Sequence, residues 1–416
     1  MSKQLLKTET HGRRRHGPLL LLACLLGFGA GNAQGLGFRI PNLDAEATAR
    51  GNAFVATADN PAALAYNPAG ITQLEGQNAQ FGAHLISANS DYHSAAGVKA
   101  ETKFEVQPVP QFYYTYTPPK SALSFGVGMF APFGLGLEWP QNTMFRTLAI
   151  EGRLAYLTLT PVAAWKPHET LSLAIGPTIN YAQIKIRQGV ANAAPNTDEF
   201  KFKGDDYDFG FSAGVLWQPH PRWSFGASYR SATTIAFAGT ASYNVTGAAA
   251  HTTASTDFPQ VVIGGISFRP TPKWNIEANV DWTDWDTLKT VTFKGTRNIF
   301  GADYNFALNW ESSFLYELGV TRYLSKGYFV SGGYFFSQNS ISERYFNPIV
   351  PDTDLHVGSL GFGNRGKHWR WAVSGQIITG PSRTVSTPLT SAIAQTPNGK
   401  YHWFNQAVNL SVGYHF

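Results

Sequence analysis

The chain has 416 residues and a formal net charge of +5, with 14% charged residues, 14% aromatic residues and 41 glycines. Soluble domains usually have about 25% charged residues, so this composition does not favour an ordinary soluble protein. Nucleic-acid binding is also excluded, because the first 33 residues carry +4 of the +5 (five basic residues and Glu9) and leave the mature chain near +1.

The N-terminus has the three parts of a secretory signal peptide. An apolar stretch over residues 18–28 follows a basic region, which consists of Lys3, Lys7, Arg13, Arg14 and Arg15. Gly31-Asn32-Ala33 fits the small-x-small rule, so residues 1–33 are predicted to be removed and the mature chain to begin at Gln34. The alternative is a lipoprotein box ending at Cys24, but the apolar run continues past that residue. Cleavage after Ala33 discards the single cysteine, which suits passage through an oxidising periplasm.

Strands rather than helices are predicted for the remainder of the chain. No apolar run after residue 33 reaches the roughly 18 residues of a transmembrane helix. Many segments of about ten residues instead alternate apolar and polar side chains, as in residues 171–181, 274–282 and 403–416. A soluble β-sandwich also alternates, but its strands usually have about five or six residues. The pattern predicts an all-β, antiparallel transmembrane β-barrel in the outer membrane of a Gram-negative bacterium.

About fourteen such segments occupy residues 76–416, the region assigned to the barrel. An even number is expected for a bacterial single-chain barrel. Short links over residues 166–170 and 218–222 are predicted as periplasmic turns, and long links over 134–152, 187–206 and 338–354 as extracellular loops. The segments centre near Phe81, Tyr114, Val127, Thr160, Pro177, Ala213, Ala227, Gly264, Asn279, Gly319, Gly332, Leu360, Val373 and Leu410.

Residues 34–75 precede the first strand, alternate poorly and contain Asn-Pro-Ala twice, at Asn60 and at Asn67. Asn is a good helix N-cap and Pro fits the first helical position, so each tripeptide predicts a helix start. The second Asn-Pro ends the first helix and Gly70 is predicted to end the second. Helices this short need support from outside. Because about fourteen strands enclose a lumen that would leak, we predict that residues 34–75 form a plug, or hatch, inside the barrel.

Three motifs resemble the FadL/TodX family: Gly37-Phe38, Asn67-Pro68-Ala69-Gly70, and Ala131-Pro132-Phe133-Gly134-Leu135. The resemblance covers nearly the whole mature chain. It implies a fourteen-stranded barrel with an N-terminal hatch, acting as an outer-membrane channel for long-chain fatty acids and other hydrophobic compounds. It further implies that Phe38 contacts the ligand, and that the C-terminal aromatic residue, Phe416, is read by the barrel-assembly machinery. The expected surroundings are outer-membrane lipid and lipopolysaccharide, and the expected state is a monomer.

The resemblance places a lateral ligand exit at a kinked third strand, here Pro132, Phe133, Gly134 and Leu135. Proline lacks the N–H of the strand ladder and glycine weakens a strand, which independently favours a break there. The alternative is an ordinary strand end at a loop. The resemblance also implies a greasy capture groove between loops, for which Phe145, Leu148 and Ala149 offer an apolar stripe. That stripe could equally pack on a neighbouring loop.

Fatty-acid members of the family place a basic residue in the channel, and Lys185 and Arg187 are the candidates here. The position that matches the family's arginine falls on Gln188, and neighbouring strand residues point to opposite faces. Arg187 could reach the lumen through a bulge or lie on the surface. If no cation lines the pocket, a neutral hydrocarbon becomes the favoured ligand.

No enzyme, metal site or cofactor is predicted. Gly210-Phe211-Ser212-Ala213-Gly214 matches G-x-S-x-G, but it lies in an alternating segment rather than at a strand-to-helix turn. Residues 205–208 (Asp-Asp-Tyr-Asp) could bind a cation, although a solvated loop end explains them as well. An outer-membrane barrel hydrolase is the alternative function, but a Ser-His-carboxylate set is not evident. A general porin is disfavoured by the scarcity of charge and by the plug.

Overall fold

A computed structural model describes residues 36–87, 89–191, 197–390 and 395–416. The predicted signal peptide, its cleavage site and Cys24 lie outside the described residues. Within the described ranges, no helix is long and apolar enough to cross a membrane.

The described chain is mostly strands. They are β1 (Gly76–Ser87), β2 (Ser90–His93), β3 (Lys99–Glu101), β4 (Val106–Thr117), β5 (Leu123–Phe130), β6 (Gly134–Glu138), β7 (Glu151–His168), β8 (Leu171–Gln188), β9 (Phe200–His220), β10 (Trp223–Arg230), β11 (Thr233–Tyr243), β12 (Ala248–Phe258), β13 (Val261–Phe268), β14 (Trp274–Thr283), β15 (Thr290–Lys294), β16 (Tyr304–Ala307), β17 (Ser313–Tyr323), β18 (Tyr328–Ser337), β19 (Leu355–Arg365), β20 (Trp369–Thr379), β21 (Arg383–Val385) and β22 (Gly399–His415).

Antiparallel pairing joins these strands into a closed barrel of fourteen, as predicted. β1 pairs with β4 on one side and with β22 on the other, which closes the cylinder. Nine wall strands are continuous, and five consist of two segments: β5 with β6, β10 with β11, β12 with β13, β14 with β15, and β16 with β17. At the extracellular rim, β2 and β21 pair with β22, and β3 pairs with β2. All fourteen predicted centres lie in wall strands.

Alternation along each strand separates a lipid-facing surface from the lumen, as predicted. In β14, Ile276 and Val280 are exposed, whereas Glu277 and Asp281 are buried on the inner face. An apolar exterior is what lipid requires, since water is absent from the bilayer core.

The hatch, residues 36–75, contains α1 (Ala45–Ala49), α2 (Ala63–Tyr66) and a 3-10 helix over Pro68–Gln73. The side chain of Asn67 accepts a hydrogen bond from the Ala69 N–H and caps the 3-10 helix, which confirms the second predicted helix start. At the first, the side chain of Asn60 accepts from the Ala62 N–H in a turn, and α2 begins only at Ala63, without a side-chain cap. The predicted end at Gly70 is wrong, because the second helix continues to Gln73. Gly70 is required for another reason: a side chain there would overlap Ala58. A further short helix, α3 (Arg297–Phe300), lies in an extracellular loop.

Glycines on the inner face of the wall allow the hatch backbone to come close. A side chain at Gly226 would overlap the carbonyl oxygen of Val55, and one at Gly319 or Gly333 would overlap the backbone of Arg50. These glycines lie on β10, β17 and β18, so the hatch is contacted from different parts of the circumference. Glycine is the residue that permits such a backbone approach.

Buried polar contacts also join the hatch to the wall. Both terminal nitrogens of Arg39 donate to the carboxylate of Asp281 at 2.5 Å, and the N–H of Ala56 donates to Glu277 at 2.8 Å. Further contacts run from Arg365 to Glu46 and Asp59, from Tyr113 to the Leu43 carbonyl, and from Asn42 to Gln376. Separating a buried ion pair would leave an uncompensated charge and destabilise the protein, so these contacts fix the position of the hatch.

Candidate functional site

The third wall strand breaks at the proline–glycine motif. β5 ends at Phe130 and β6 begins at Gly134, while the ladder between β4 and β5 stops at Phe112 and Met129. On this side, residues 106–111 of β4 therefore have no ladder partner in the third strand, which leaves a gap in the wall.

The hatch covers this gap from inside. The N–H of Ile40 donates to the Pro132 carbonyl at 2.8 Å, and the N–H of Gly134 donates to the Phe38 carbonyl at 2.8 Å. The N-terminal end of the hatch thus provides the backbone hydrogen bonds that β4 does not make with the third strand at Pro132 and Gly134. The break lies at the residues that the sequence indicated, and the N-terminal end of the hatch lies against it.

A second ladder interruption separates β9 from the seventh strand. Pairing stops at Ser212 with Arg230 and resumes at Asp205 with Ala238. Here wall side chains bridge the edges: Asp208 accepts from the Thr234 N–H at 2.7 Å. This interruption is therefore bridged by residues of the wall itself, whereas the one beside Pro132 is covered by the hatch.

An apolar cavity of about 70 Å³ lies in the upper lumen, directly beside the end of the hatch. Its described lining is aliphatic and aromatic apart from Arg153 and Thr256. The lining includes Phe38, Leu135, Leu154, Ile184, Ile186, Phe237, Phe258, Val291, Phe293, Phe306, Leu308, Trp310, Ile349 and Val350.

Phe38 connects the cavity to the strand break. Its ring centroid lies 4.8 Å from that of Trp285, 5.2 Å from Trp310 and 6.0 Å from Phe133. Phe133 is buried and meets Tyr156 edge-on at 5.2 Å. One aromatic cluster therefore extends from the cavity wall to the gap, so displacement of Phe38 would disturb both.

Lys185 and Arg187 do not line the cavity. Ile184 and Ile186 line it instead, because successive residues of β8 face opposite sides. No bulge intervenes: β8 pairs with β9 without a register shift through Gln188, which lines an outer groove.

The two cations belong to an ion-pair network at the extracellular end of β7 and β8. Arg187 donates to Glu199 at 2.7 Å and to Glu151 at 2.9 Å, and Lys185 donates to Glu151 at 2.8 Å. These hydrogen bonds from Arg187 lower the pKa of the Glu199 carboxyl. The charges neutralise one another.

Arg153 is the one charged residue in the described lining of the cavity, and it belongs to the same network. Its guanidinium donates to Glu105 at 2.9 Å and to Glu151 at 2.6 Å. The bond from Arg153 lowers the pKa of the Glu105 carboxyl. An anionic ligand in the cavity would have to compete with these glutamates for its counter-charge.

Above the cavity, a groove of about 610 Å³ lies between extracellular loops. Leu148 lines it, together with Val190, Ile299, Phe300 and polar residues such as Asn305. Residues 143–149 form turns rather than the expected helical stripe. Phe145 is fully buried against Tyr92, Trp139 and Tyr401, so it packs among the loops, as the alternative interpretation held, and does not line the groove.

Ser212 of the G-x-S-x-G match lies in the middle of β9, on the buried face, and not at a strand-to-helix turn. Residues 205–208 also lie within β9, so the interpretation as a loop end is wrong. In the described part of the chain, no group of three His, Cys, Asp or Glu residues is placed to hold a metal ion.

Sequence reasoning missed Trp285, Trp310 and Phe258, which complete the aromatic cluster around Phe38. Trp285 lies in a 3-10 helix that interrupts the ninth wall strand between β14 and β15. The loss of alternation after Asp284 was the available signal.

A fourteen-stranded outer-membrane barrel with its N-terminal segment in the lumen and an apolar cavity above it defines a class of hydrophobic-compound transport proteins. Residues 26–373 match the family described as "Outer membrane protein transport protein (OMPP1/FadL/TodX)", and the chain belongs to this family.

The chain is 23% identical over 347 residues to the "Long-chain fatty acid transport protein" of Escherichia coli O6:H1, covering 72% of this chain and 76% of the relative. Among solved structures, it is similar to a Pseudomonas aeruginosa FadL homologue, with a TM-score of 0.81, 17% identity, and coverage of 91% of this chain and 99% of that one. It also resembles the toluene transporter TodX of P. putida, with a TM-score of 0.69, 15% identity, and coverage of 92% and 99%. At these identities, the structures support the fold.

Proposed function

We propose that the protein is a passive outer-membrane channel for uncharged hydrophobic molecules, such as small hydrocarbons. The observation that carries this proposal is an apolar cavity whose nearest cation is already paired, lying against the strand break. An apolar ligand gains about 25 cal/mol per Å² of apolar surface removed from water, and this suffices without a counter-charge. A carboxylate would lose hydration and find the arginines occupied.

The proposed route has three stages. The ligand is captured in the groove lined by Leu148, moves down into the cavity beside Phe38, and leaves sideways through the gap at Pro132, Phe133, Gly134 and Leu135. The hatch, residues 34–75 with the Asn67-Pro68-Ala69-Gly70 motif, blocks the direct path to the periplasm. Because the gap faces lipid, an apolar ligand would pass into the membrane without crossing water.

Phe38 would couple binding to release. The cavity of about 70 Å³ is smaller than an apolar cavity of about 150 Å³ that accommodates benzene, so a ligand must push lining residues aside. Phe38 is the lining residue on the hatch, and its carbonyl bonds to Gly134 at the break. Its movement would open the covered gap.

Uptake measurements test the proposed ligand class. Cells with and without the protein would be given labelled toluene and a labelled long-chain fatty acid. We expect toluene uptake to fall when the protein is absent and fatty-acid uptake to change little. Equal uptake of both compounds by the two strains would remove the transport proposal, and loss of fatty-acid uptake alone would reverse the choice of ligand.

A second experiment tests the exit. Substituting Pro132→Val together with Gly134→Val favours a continuous third strand, so transport should be lost while the barrel still assembles, as judged by heat-modifiable migration on gels. The matched control is Pro177→Val with Gly375→Val, at lipid-facing positions of unbroken strands. Normal transport by the Pro132 and Gly134 variant would rule out this exit.

A further inference from the structure

The turns at the periplasmic end carry a repeated charge. Fourteen strands require six such turns, and at least one exposed or half-exposed Lys or Arg without a described ion pair lies in or next to each of them; Arg269, in the turn with Lys273, is paired with Asp59. The six cations, one per turn in chain order, are Lys120, Lys166, Arg222, Lys273, Lys326 and Lys367. They are therefore distributed around the whole circumference and do not form a patch on one side.

Within the described residues, none of these six cations takes part in an ion pair. The exposed side-chain carboxylates described at this end are those of Glu75 and Glu169; together with the C-terminal carboxylate of Phe416 they number half of the six cations, so positive charge is in excess. The network around Arg187 at the opposite end differs, since glutamates neutralise its cations. The periplasmic rim thus has charge available for an external anion.

Aromatic residues set the height of these cations relative to the membrane. Lys166 follows Trp165, Arg222 precedes Trp223, and Lys273 precedes Trp274. Tyr328 and Trp369 stand two residues after Lys326 and Lys367, and these five aromatic side chains are exposed on the lipid-facing surface. Such rings lie at the headgroup level of a bilayer. A cation one or two residues further toward the periplasm is then at the level of the lipid phosphates.

We propose that this ring of cations, the periplasmic rim, binds the phosphate groups of anionic phospholipids in the inner leaflet of the outer membrane. Each turn offers a cation beside an aromatic or apolar lipid-facing surface, which matches a lipid with a charged head and an apolar tail. Basic residues near an anionic leaflet are attracted to it and act additively. A soluble acidic partner would not require the neighbouring rings or an even distribution around the barrel. The proposal does not depend on which molecules the channel carries.

Native mass spectrometry of the detergent-purified mature protein tests the proposal. The protein would be titrated separately with phosphatidylglycerol and phosphatidylethanolamine, and retained lipids would be counted. We expect at least about tenfold tighter retention of phosphatidylglycerol, decreasing as salt is added, because exposed charges are screened.

The rim variant replaces all six cations with glutamine and should lose this preference. The matched control replaces six exposed extracellular cations that have no described ion pair: Lys99, Lys201, Lys203, Lys294, Arg344 and Lys400. It should retain the preference. If the rim variant does not fold, two half-variants of three turns each provide the same comparison.

Three results would overturn the proposal. They are equal retention of the two lipids by the wild-type protein, an unchanged preference in the rim variant or in both half-variants, and an equal loss in the extracellular control. Each is independent of transport, so failure here leaves the proposed channel function untouched.

Discussion

At the residue scale, the alternation of strand side chains decides which charges can meet a ligand. Lys185 and Arg187 lie one position away from the lumenal residues of β8, and this offset places them in the network with Glu151. The sequence indicated the offset, but it could not show that glutamates from β7 and from a loop come together there. The decisive partners are distant along the chain and are brought close by pairing of strands.

Phe38 is the residue at which the cavity can be tested directly. The variant Phe38→Ala removes an aromatic side chain from the cavity lining, so an apolar ligand loses contact area. We expect binding to weaken at least about tenfold, the lower end of what about 1.5–3 kcal/mol for a buried apolar side chain implies. Quenching of tryptophan fluorescence would report binding, since Trp285 and Trp310 adjoin Phe38. The lipid-facing variant Phe81→Ala should bind normally, and equal affinities would contradict this role of Phe38.

At the element scale, the hatch depends on the wall more than on its own helices. Its α-helices have five and four residues, far below the length that is stable alone. The helix start at Asn67 was predictable because capping is local, whereas α2 begins three residues after Asn60. The end predicted at Gly70 was wrong, because that glycine is needed where the chain packs against Ala58. Local signals therefore predicted where the hatch turns, but not why its glycine is present.

The wall glycines provide the test at this scale. Gly226→Ala places a methyl group against the Val55 carbonyl, and the hatch must shift because the contact is with backbone. We expect the free energy of unfolding to fall by about 1–3 kcal/mol, which lowers the thermal transition temperature. Protease should also cleave within the hatch faster. Gly264→Ala, where a side chain would meet open space, is the matched control. If the two variants resist protease equally, the close backbone contact at Gly226 does not stabilise the hatch.

At the scale of the whole molecule, composition and alternation predicted the barrel and its fourteen strands. Of the five segmented wall strands, the break in the third was predicted from its proline and glycine. The other four were not, because alternation continues on both sides of most breaks. Whether a ladder is interrupted depends on the neighbouring strands, as between β9 and β11, and this information is not local. The cavity was beyond the sequence for the same reason, since its lining comes from the hatch and from many separate strands.

Removal of the hatch tests its role in sealing the lumen. Deleting residues 36–74 from the mature chain should leave a barrel that conducts small polar solutes, because fourteen strands enclose more space than wall side chains fill. Swelling of liposomes in sugar solutions would measure this, with the complete protein as the non-conducting control. A deletion variant that assembles but stays impermeable would show that the wall and loops suffice to close the lumen.

The long-range contacts of the hatch have a consequence for biogenesis. Arg39 bonds to a residue 242 positions later, Glu46 to one 319 later, and Asn42 to one 367 later. Loop closure over such separations is slow, so these contacts form late. The hatch therefore cannot complete these contacts until the final strands are in place, and the barrel closes around it. The leading end of the polypeptide is therefore expected to be the last to become ordered, and impermeability would arise only when assembly finishes.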